Sequence, residues 1–148
     1  MTLQMEVVNL HFEIEGGNFS KAGYASSEIK KVLKQLNVDA KIIKRVVVSS
    51  YEAEINIVAH AYRGKLSAII NDRMIELFFD DEGPGIPDIE KAMQTGFSTA
   101  SPEVREMGFG AGMGLPNIKN NADSLDITSE VGKGTLVKIK IALTSDLN

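Results

Sequence analysis

The most constraining feature of the sequence is one long apolar segment that carries a polar stripe. Residues 40–62 are predicted to form a helix that is apolar over most of its circumference, so most of it should be buried. Glu52, Asn56 and His60 nevertheless recur at intervals of four, which places them in a line along one helix face. A fold built around this helix has to supply partners for those side chains, because buried unpaired polar groups are strongly destabilising.

The remaining segments alternate in a way that fits a sheet packed against helices. Strands are predicted at 5–14, 66–70, 74–79, 125–129 and 135–143, and further helices at 21–36, 88–94 and 115–122. Tight turns at 71–73 and 132–134 join strands into hairpins, and Asp39 is expected to cap the long helix. The order β-α-α-ββ-α-loop-α-ββ predicts a two-layer α/β sandwich, with a mixed β-sheet covered on one face by helices.

Length and composition limit the possible function classes. The chain has 148 residues and no cysteine, which excludes a disulfide framework, a thiolate metal site and a cysteine nucleophile. A single domain is predicted over 1–148, with its core at about residues 5–143. No signal peptide or membrane span is predicted, so the expected location is cytoplasmic. Residues 1–74 carry 10 basic and 8 acidic side chains and residues 75–148 carry 6 and 12, which disfavours a general nucleic-acid binder.

The polar pair on the long helix has two interpretations. Glu52 and Asn56 lie one helical turn apart, and such a pair is often only a capping network or a surface pair. The functional interpretation makes Glu52 a general base and Asn56 an oxygen ligand for a hard cation such as Mg²⁺. The pair alone does not decide between them.

An acidic residue and two glycines follow the strand at 74–79. In the segment Asp81-Glu82-Gly83-Pro84-Gly85, a carboxylate lies beside backbone that a flat ligand can approach closely. Asp81 could accept a hydrogen bond from an exocyclic amine such as that of adenine. The same pattern is also typical of an ordinary tight turn.

A run of glycines precedes the helix at 115–122. The backbone N–H groups of such a run, together with the positive end of the helix dipole, can bind phosphate. The run does not directly follow a first strand, as a Rossmann fingerprint would, and it lacks the Gly-Lys-Ser/Thr of a Walker A loop. A flexible loop is the remaining alternative.

Taken in order, these motifs resemble those of the ATP-binding superfamily of gyrase, Hsp90, histidine kinases and MutL. Glu52-x-x-x-Asn56 is similar to its N box, and residues 81–85, 110–115 and 132–135 are similar to its glycine boxes. Chain length and the run GIPDIEKAM at 85–93 resemble the anti-sigma factor serine/threonine kinase family, and 97–105 looks like its short ATP lid. The resemblance implies a Bergerat-type ATP-binding fold with a mobile lid at about 95–112.

The resemblance also implies a role for each matched residue. Glu52 would deprotonate the attacking hydroxyl, Arg105 would neutralise the γ-phosphate and Asn56 would hold Mg²⁺. Asp81 would bind the adenine amine. The other nucleotide contacts would come from Gly83, Gly85, Gly110, Gly112, Gly114, Leu115 and Thr135. A packing role explains His60 as well as a role in the site does.

The implied activity is transfer of the γ-phosphoryl group of ATP to a serine or threonine of an anti-anti-sigma protein with a STAS-type domain. ATP and Mg²⁺ are the implied cofactors, a sigma factor is a further implied partner, and a homodimer is a family expectation. Direct binding of nucleic acid or membrane is not expected. The alternatives are an ATP-gated module that sequesters a sigma factor or another regulator without catalysis, and an independent ATPase. Ala100, where several relatives have a lid lysine, favours the module.

Overall fold

The computed structural model describes residues 7–94 and 114–144, and its helices and strands follow the predicted order. The strands are β1 (Val8–Glu15), β2 (Arg63–Ile70), β3 (Met74–Glu82), β4 (Ser124–Glu130) and β5 (Gly134–Ala142). The helices are α1 (Tyr24–Gln35), α2 (Ala40–His60), α3 (Ile89–Ala92) and α4 (Gly114–Asn121), with a short 3-10 turn at Phe19–Lys21 before α1. The predicted lid at about 95–112 lies outside the described residues.

The five strands form one sheet in the order β1-β2-β3-β5-β4. The predicted two-layer α/β sandwich is confirmed, but each described pairing is antiparallel, so the expectation of a mixed sheet is wrong. Two helices separate β1 from β2 and return the chain in the opposite direction. Between β3 and β4 the crossover makes the two strands run parallel, but β5 inserts between them and pairs antiparallel with both.

The core lies between the sheet and α2. Alternate residues of the central strands point to the same face, as the period of two requires, and are buried there: Leu66, Ala68, Ile70, Ile75, Leu77, Phe79, Val137, Ile139 and Ile141. Helix α2 contacts four of the strands and also packs against α1 and α4. The long helix therefore has neighbours on several sides, which accounts for its apolar circumference. None of the described helices is long and apolar enough to cross a membrane.

A side chain of α2 caps the start of α1. The N-cap residue of α1 is Gly23, which has no side chain to serve as a cap. The carboxylate of Glu54, only 2% exposed, accepts the backbone N–H groups of Gly23 (3.0 Å), Ala25 (3.2 Å) and Ser26 (3.0 Å). It also accepts the Ser26 hydroxyl at 2.7 Å. One buried carboxylate thus accepts three of the backbone N–H groups at the start of this helix, where N–H groups have no partner within the helix.

The start of α2 lacks the side-chain cap that the sequence predicted for it. Asp39 occupies the N-cap position of α2, but its side chain makes no capping hydrogen bond, so that part of the prediction is wrong. Asp39 is exposed, and water competes there for the same N–H groups.

Candidate functional site

Glu52 and Asn56 on α2 face the first residue of α4. Both side chains are half-buried. A Cβ added to Gly114 would lie 3.2 Å from Asn56 Oδ1 and 3.3 Å from Glu52 Oε2. Because a larger residue would press on both oxygens, glycine at this position keeps them available. The structure therefore brings the predicted acid–amide pair and the last glycine of the predicted phosphate-binding run together.

A residue that the sequence analysis did not select also reaches this pair. Asn117, one turn into α4, donates a hydrogen bond from Nδ2 to Glu52 Oε1 at 3.3 Å. Its backbone carbonyl accepts Nδ2 of Asn121 at 2.8 Å, and the Asn121 carbonyl accepts Nε of Arg45 from α2 at 2.9 Å. The only signal in the sequence was the presence of asparagine, a poor helix former, inside a short helix.

Asp81 lies near the end of β3, within the strand and not in a tight turn. Its Oδ1 accepts the backbone N–H of Thr135 from β5 at 3.1 Å. Burial raises the pKa of the Asp81 carboxyl, and the hydrogen bond from Thr135 acts in the opposite direction. A half-buried carboxylate with one oxygen engaged in this way can accept a further N–H from a ligand.

The two glycine-containing turns beside Asp81 pack closely on each other. Gly85 has a left-handed φ of +77°, and a Cβ there would lie 2.5 Å from the carbonyl oxygen of Glu130. A Cβ at Gly134 would collide with the carbonyl oxygen of Asp81. At both positions, close backbone approach requires glycine. Gly83 donates its N–H to the Lys133 carbonyl at 3.0 Å, which joins the turns.

Ser129 completes this end of the site and was also not predicted. Its hydroxyl accepts the N–H of Ile86 at 2.7 Å and lies 2.8 Å from Oγ1 of Thr135, which is itself 8% exposed. Ser129 therefore fixes the loop after Gly85 to the β4–β5 hairpin. Nothing in the sequence around Ser129 marked it, because the contact joins residues 43 positions apart.

His60 lies at the end of α2 and is half-buried. Burial lowers the pKa of His60, so its neutral form is favoured at neutral pH.

The residue after α2, Ala61, packs closely on Gly83: a Cβ at Gly83 would lie 3.0 Å from Ala61 Cα. Helix α2 thus links the pair at Glu52 and Asn56 with the turn that follows Asp81.

The oxygen donors of this site suit a hard cation bound together with phosphate. Within residues 7–94 and 114–144 there is no group of three or more histidine, aspartate or glutamate side chains that could hold a metal ion. Mg²⁺ is usually held by one or two protein oxygens plus substrate phosphates, and the carboxamide oxygen of Asn56 fits that pattern beside the Glu52 carboxylate, which would remain free to act as a base. The donor set therefore fits Mg²⁺ that arrives with a nucleotide.

Three of the predicted site residues lie outside the described residues: Arg105, Gly110 and Gly112. Leu115 is described, and its side chain is 7% exposed and belongs to the hydrophobic core. This leaves its backbone N–H, in the first turn of α4, as the group that could contact a ligand.

Comparison with known proteins identifies the family behind this geometry. The histidine kinase-like ATPase domain family matches residues 21–141. The chain belongs to this family. The chain also belongs to the anti-sigma factor kinase family, which is a branch of the superfamily of gyrase, Hsp90, histidine kinases and MutL. The resemblance found in the sequence is therefore confirmed.

Individual relatives give the extent of the match. This ATPase domain is 36% identical over 121 residues to an anti-sigma F factor of Caldanaerobacter subterraneus, a match that covers 78% of this chain and 81% of the relative. It is 31% identical over 113 residues to the serine/threonine-protein kinase RsbT of Bacillus subtilis, with 74% of this chain and 79% of the relative covered.

A solved structure supports the fold. The crystal structure of the RsbU and RsbW domains of a Mycobacterium tuberculosis protein superposes with a TM-score of 0.64 at 16% identity. The match covers 94% of this chain but 33% of that longer chain. At this identity the likeness concerns the fold alone.

Proposed function

We propose that this protein is an ATP-dependent serine/threonine kinase that phosphorylates an anti-anti-sigma protein of the STAS type. The observation that carries the proposal is the half-buried carboxylate of Glu52, held beside Asn56 at the start of α4. Nucleotide binding alone does not require a carboxylate there, whereas transfer to a hydroxyl benefits from a base. The similarity to RsbT, which is named as a serine/threonine-protein kinase, supports the same conclusion.

The proposed nucleotide site extends from the β3–β5 end to the start of α4. Asp81 accepts a hydrogen bond from the adenine amine, and Gly83, Gly85 and Thr135 line the base. Gly110, Gly112 and the N–H groups of Gly114 and Leu115 bind the phosphates, and Asn56 holds Mg²⁺. When bound, Mg²⁺ supplies neutralisation of the phosphate charge.

In the proposed reaction, the serine or threonine oxygen of the partner forms a bond to the γ-phosphorus. The bond from that phosphorus to the β–γ bridging oxygen breaks, which leaves ADP. Glu52 takes the hydroxyl proton, and Arg105 neutralises charge on the γ-phosphoryl group. Positioning and charge neutralisation supply most of the catalysis in such reactions, so few protein groups need to change their chemical state.

Labelled ATP tests this proposal directly. The purified protein is incubated with Mg²⁺, ATP labelled at the γ-phosphate and each STAS-domain protein encoded by the same genome. We expect label on a serine or threonine of one of them. Glu52→Gln should retain ATP binding, and its rate of phosphoryl transfer should fall about a hundredfold or more. Glu28 lies in α1, on the side of α2 opposite Glu52, so the control variant Glu28→Gln should transfer at the wild-type rate. Wild-type transfer by Glu52→Gln would remove the base assignment.

The second candidate is an ATP-gated binding module that sequesters a sigma factor without catalysis. The relatives named anti-sigma F factor favour it. Nucleotide-dependent co-elution with a sigma factor, without label on any partner, would identify the module. Release of free phosphate alone would identify an independent ATPase. For both the kinase and the ATP-gated binding module, we propose a single-domain protein located in the cytoplasm. A homodimer remains a prediction.

A further inference from the structure

We infer that Asn117 is a positioning residue that orients the Glu52 carboxylate for proton transfer. The inference rests on the proposed function, because it concerns the base of the proposed reaction. Asn117 is not part of any motif that marked the site, and it acts through Glu52 without a contact to the nucleotide.

The two oxygens of Glu52 have different surroundings. Oε1 accepts the Asn117 side-chain amide at 3.3 Å, whereas Oε2 faces the open position at Gly114. A glutamate side chain otherwise rotates about several bonds, and a hydrogen bond to one oxygen restricts that rotation. With Oε1 held, Oε2 is the oxygen available to receive a proton at the start of α4.

Asn117 is itself held in place relative to α2. Asn121, one turn further along α4, bonds to the Asn117 carbonyl, and Arg45 of α2 bonds to the Asn121 carbonyl. Arg45 also pairs with Asp123 at 2.9 Å. Helix α4 is therefore fixed to the same helix that carries Glu52, both at the level of Glu52 and two turns before it. The donor and the acceptor of the Asn117–Glu52 bond cannot easily move apart.

The residue type supports a specific role. Asparagine is unfavourable inside a helix relative to alanine or leucine, and Asn117 lies between the buried residues Pro116 and Ile118. The face that carries Gly114, Asn117 and Asn121 is turned to α2, where an apolar residue would have been the ordinary choice. An amide at this point gives Glu52 a donor that an apolar residue would not.

The test compares variants of α4 in the transfer assay. Asn117→Ala and the apolar, similarly sized Asn117→Leu both remove the donor without adding a charge, and we expect kcat to fall about tenfold to a hundredfold, as for a misplaced catalytic group. The KM for Mg-ATP should stay within about twofold of wild type, since Asn117 does not contact the nucleotide. Asn120→Ala, an exposed asparagine of the same helix, is the matched control and should keep the wild-type kcat. Wild-type kcat in both Asn117 variants, or a loss seen only in KM, would overturn the inference.

A measurement without partner or nucleotide separates this inference from the proposed function. In NMR spectra of the protein alone, the side-chain NH₂ signals of Asn117 should shift in Glu52→Gln, while those of Asn120 should not. Unchanged Asn117 signals would overturn the inference even if the protein is a kinase. Shifted signals together with no label on any STAS protein would mean that the contact exists and the proposed function has failed.

Discussion

At the scale of single residues, Asp81 shows a conflict between stability and the proposed function. Burial raises its pKa above the usual value near 3.8, so the folded protein binds this proton more tightly than the unfolded chain does. Stability from this group is therefore greatest at low pH and declines as the pH rises from about 3.8 through the raised pKa. The ionised carboxylate opposes folding at neutral pH, and a ligand that donates an N–H to it offsets that effect.

Asp81→Asn should therefore change nucleotide binding and the stability of the fold in opposite directions. With Oδ1 still accepting the Thr135 N–H, the new amide would present Nδ2 to the ligand, so a donor would face the adenine amine. We expect ATP affinity to fall about 10- to 100-fold, the effect of losing one hydrogen bond to a charged group. The ATP-to-GTP preference should fall as well, because the guanine carbonyl suits a donor. Isothermal titration calorimetry with both nucleotides measures these changes.

The stability of the same variant provides a second readout. Below pH 3.8, the free energy of unfolding of the variant should differ from that of wild type by a constant amount. As the pH rises above 3.8, the variant should become more stable relative to wild type. Asp126→Asn, at an exposed position of β4, controls for the loss of one surface charge. Unchanged affinities for both nucleotides in Asp81→Asn would exclude Asp81 from base recognition.

The residues predicted from the sequence are those that local patterns mark. Glu52, Asn56 and Asp81 stand out because a polar side chain interrupts an apolar helix or ends an apolar strand. Asn117 and Ser129 do not stand out, because their contacts to Glu52 and Ile86 span 65 and 43 positions of the chain. The roles of Arg105, Gly110 and Gly112 remain predictions.

At the scale of elements, two acidic residues of α2 serve opposite faces of the helix. Glu52 and Glu54 are two positions apart, which is about 200° around a helix. Glu52 faces α4 and the proposed site, while Glu54 is buried against α1 and accepts four hydrogen bonds there. The sequence did not predict the role of Glu54, since its donors lie on another helix 28 to 31 positions earlier.

Substituting each acid by alanine should distinguish these roles. Glu54→Ala leaves three backbone N–H groups and a hydroxyl without their acceptor, so we expect a loss of about 3 kcal/mol in the free energy of unfolding. Glu52→Ala, the same substitution in the same helix, should lose about 1 kcal/mol or less. Urea unfolding followed by circular dichroism measures both. Equal losses would contradict the capping role of Glu54.

The arrangement of the strands was predicted less completely than their positions. Hairpins follow from short turn sequences, so β2–β3 and β4–β5 were placed correctly. The pairings of β1 with β2 and of β3 with β5 have no local signal, and together they determine that the described sheet is antiparallel and not mixed. The site depends on the pairing of β3 with β5, because it brings Thr135 to Asp81.

At the scale of the whole molecule, the acidic second half of the chain is compatible with binding a polyanion. Its 6 basic and 12 acidic residues give it a net charge of −6, yet the proposed phosphate contacts are mainly backbone N–H groups and Mg²⁺. Helix α2 joins the two ends of the proposed site and lies against most of the sheet. A ligand bound along α2 is therefore expected to stabilise the whole domain, and not only a loop.

Thermal unfolding with nucleotide tests this expectation. At about 100 times its Kd, Mg-ATP should stabilise the domain by about 2.7 kcal/mol, which for this size corresponds to a rise in Tm of about 5–10 °C. Glu52→Gln should keep the full rise, because the base is not needed for binding. Asn56→Ala should lose about half of it if its affinity for Mg-ATP falls about tenfold. Without Mg²⁺, in excess EDTA, Asn56→Ala and wild type should respond equally to ATP, since Asn56 then has no metal to hold. A difference between them that persists in EDTA would show that Asn56 binds the nucleotide by another route.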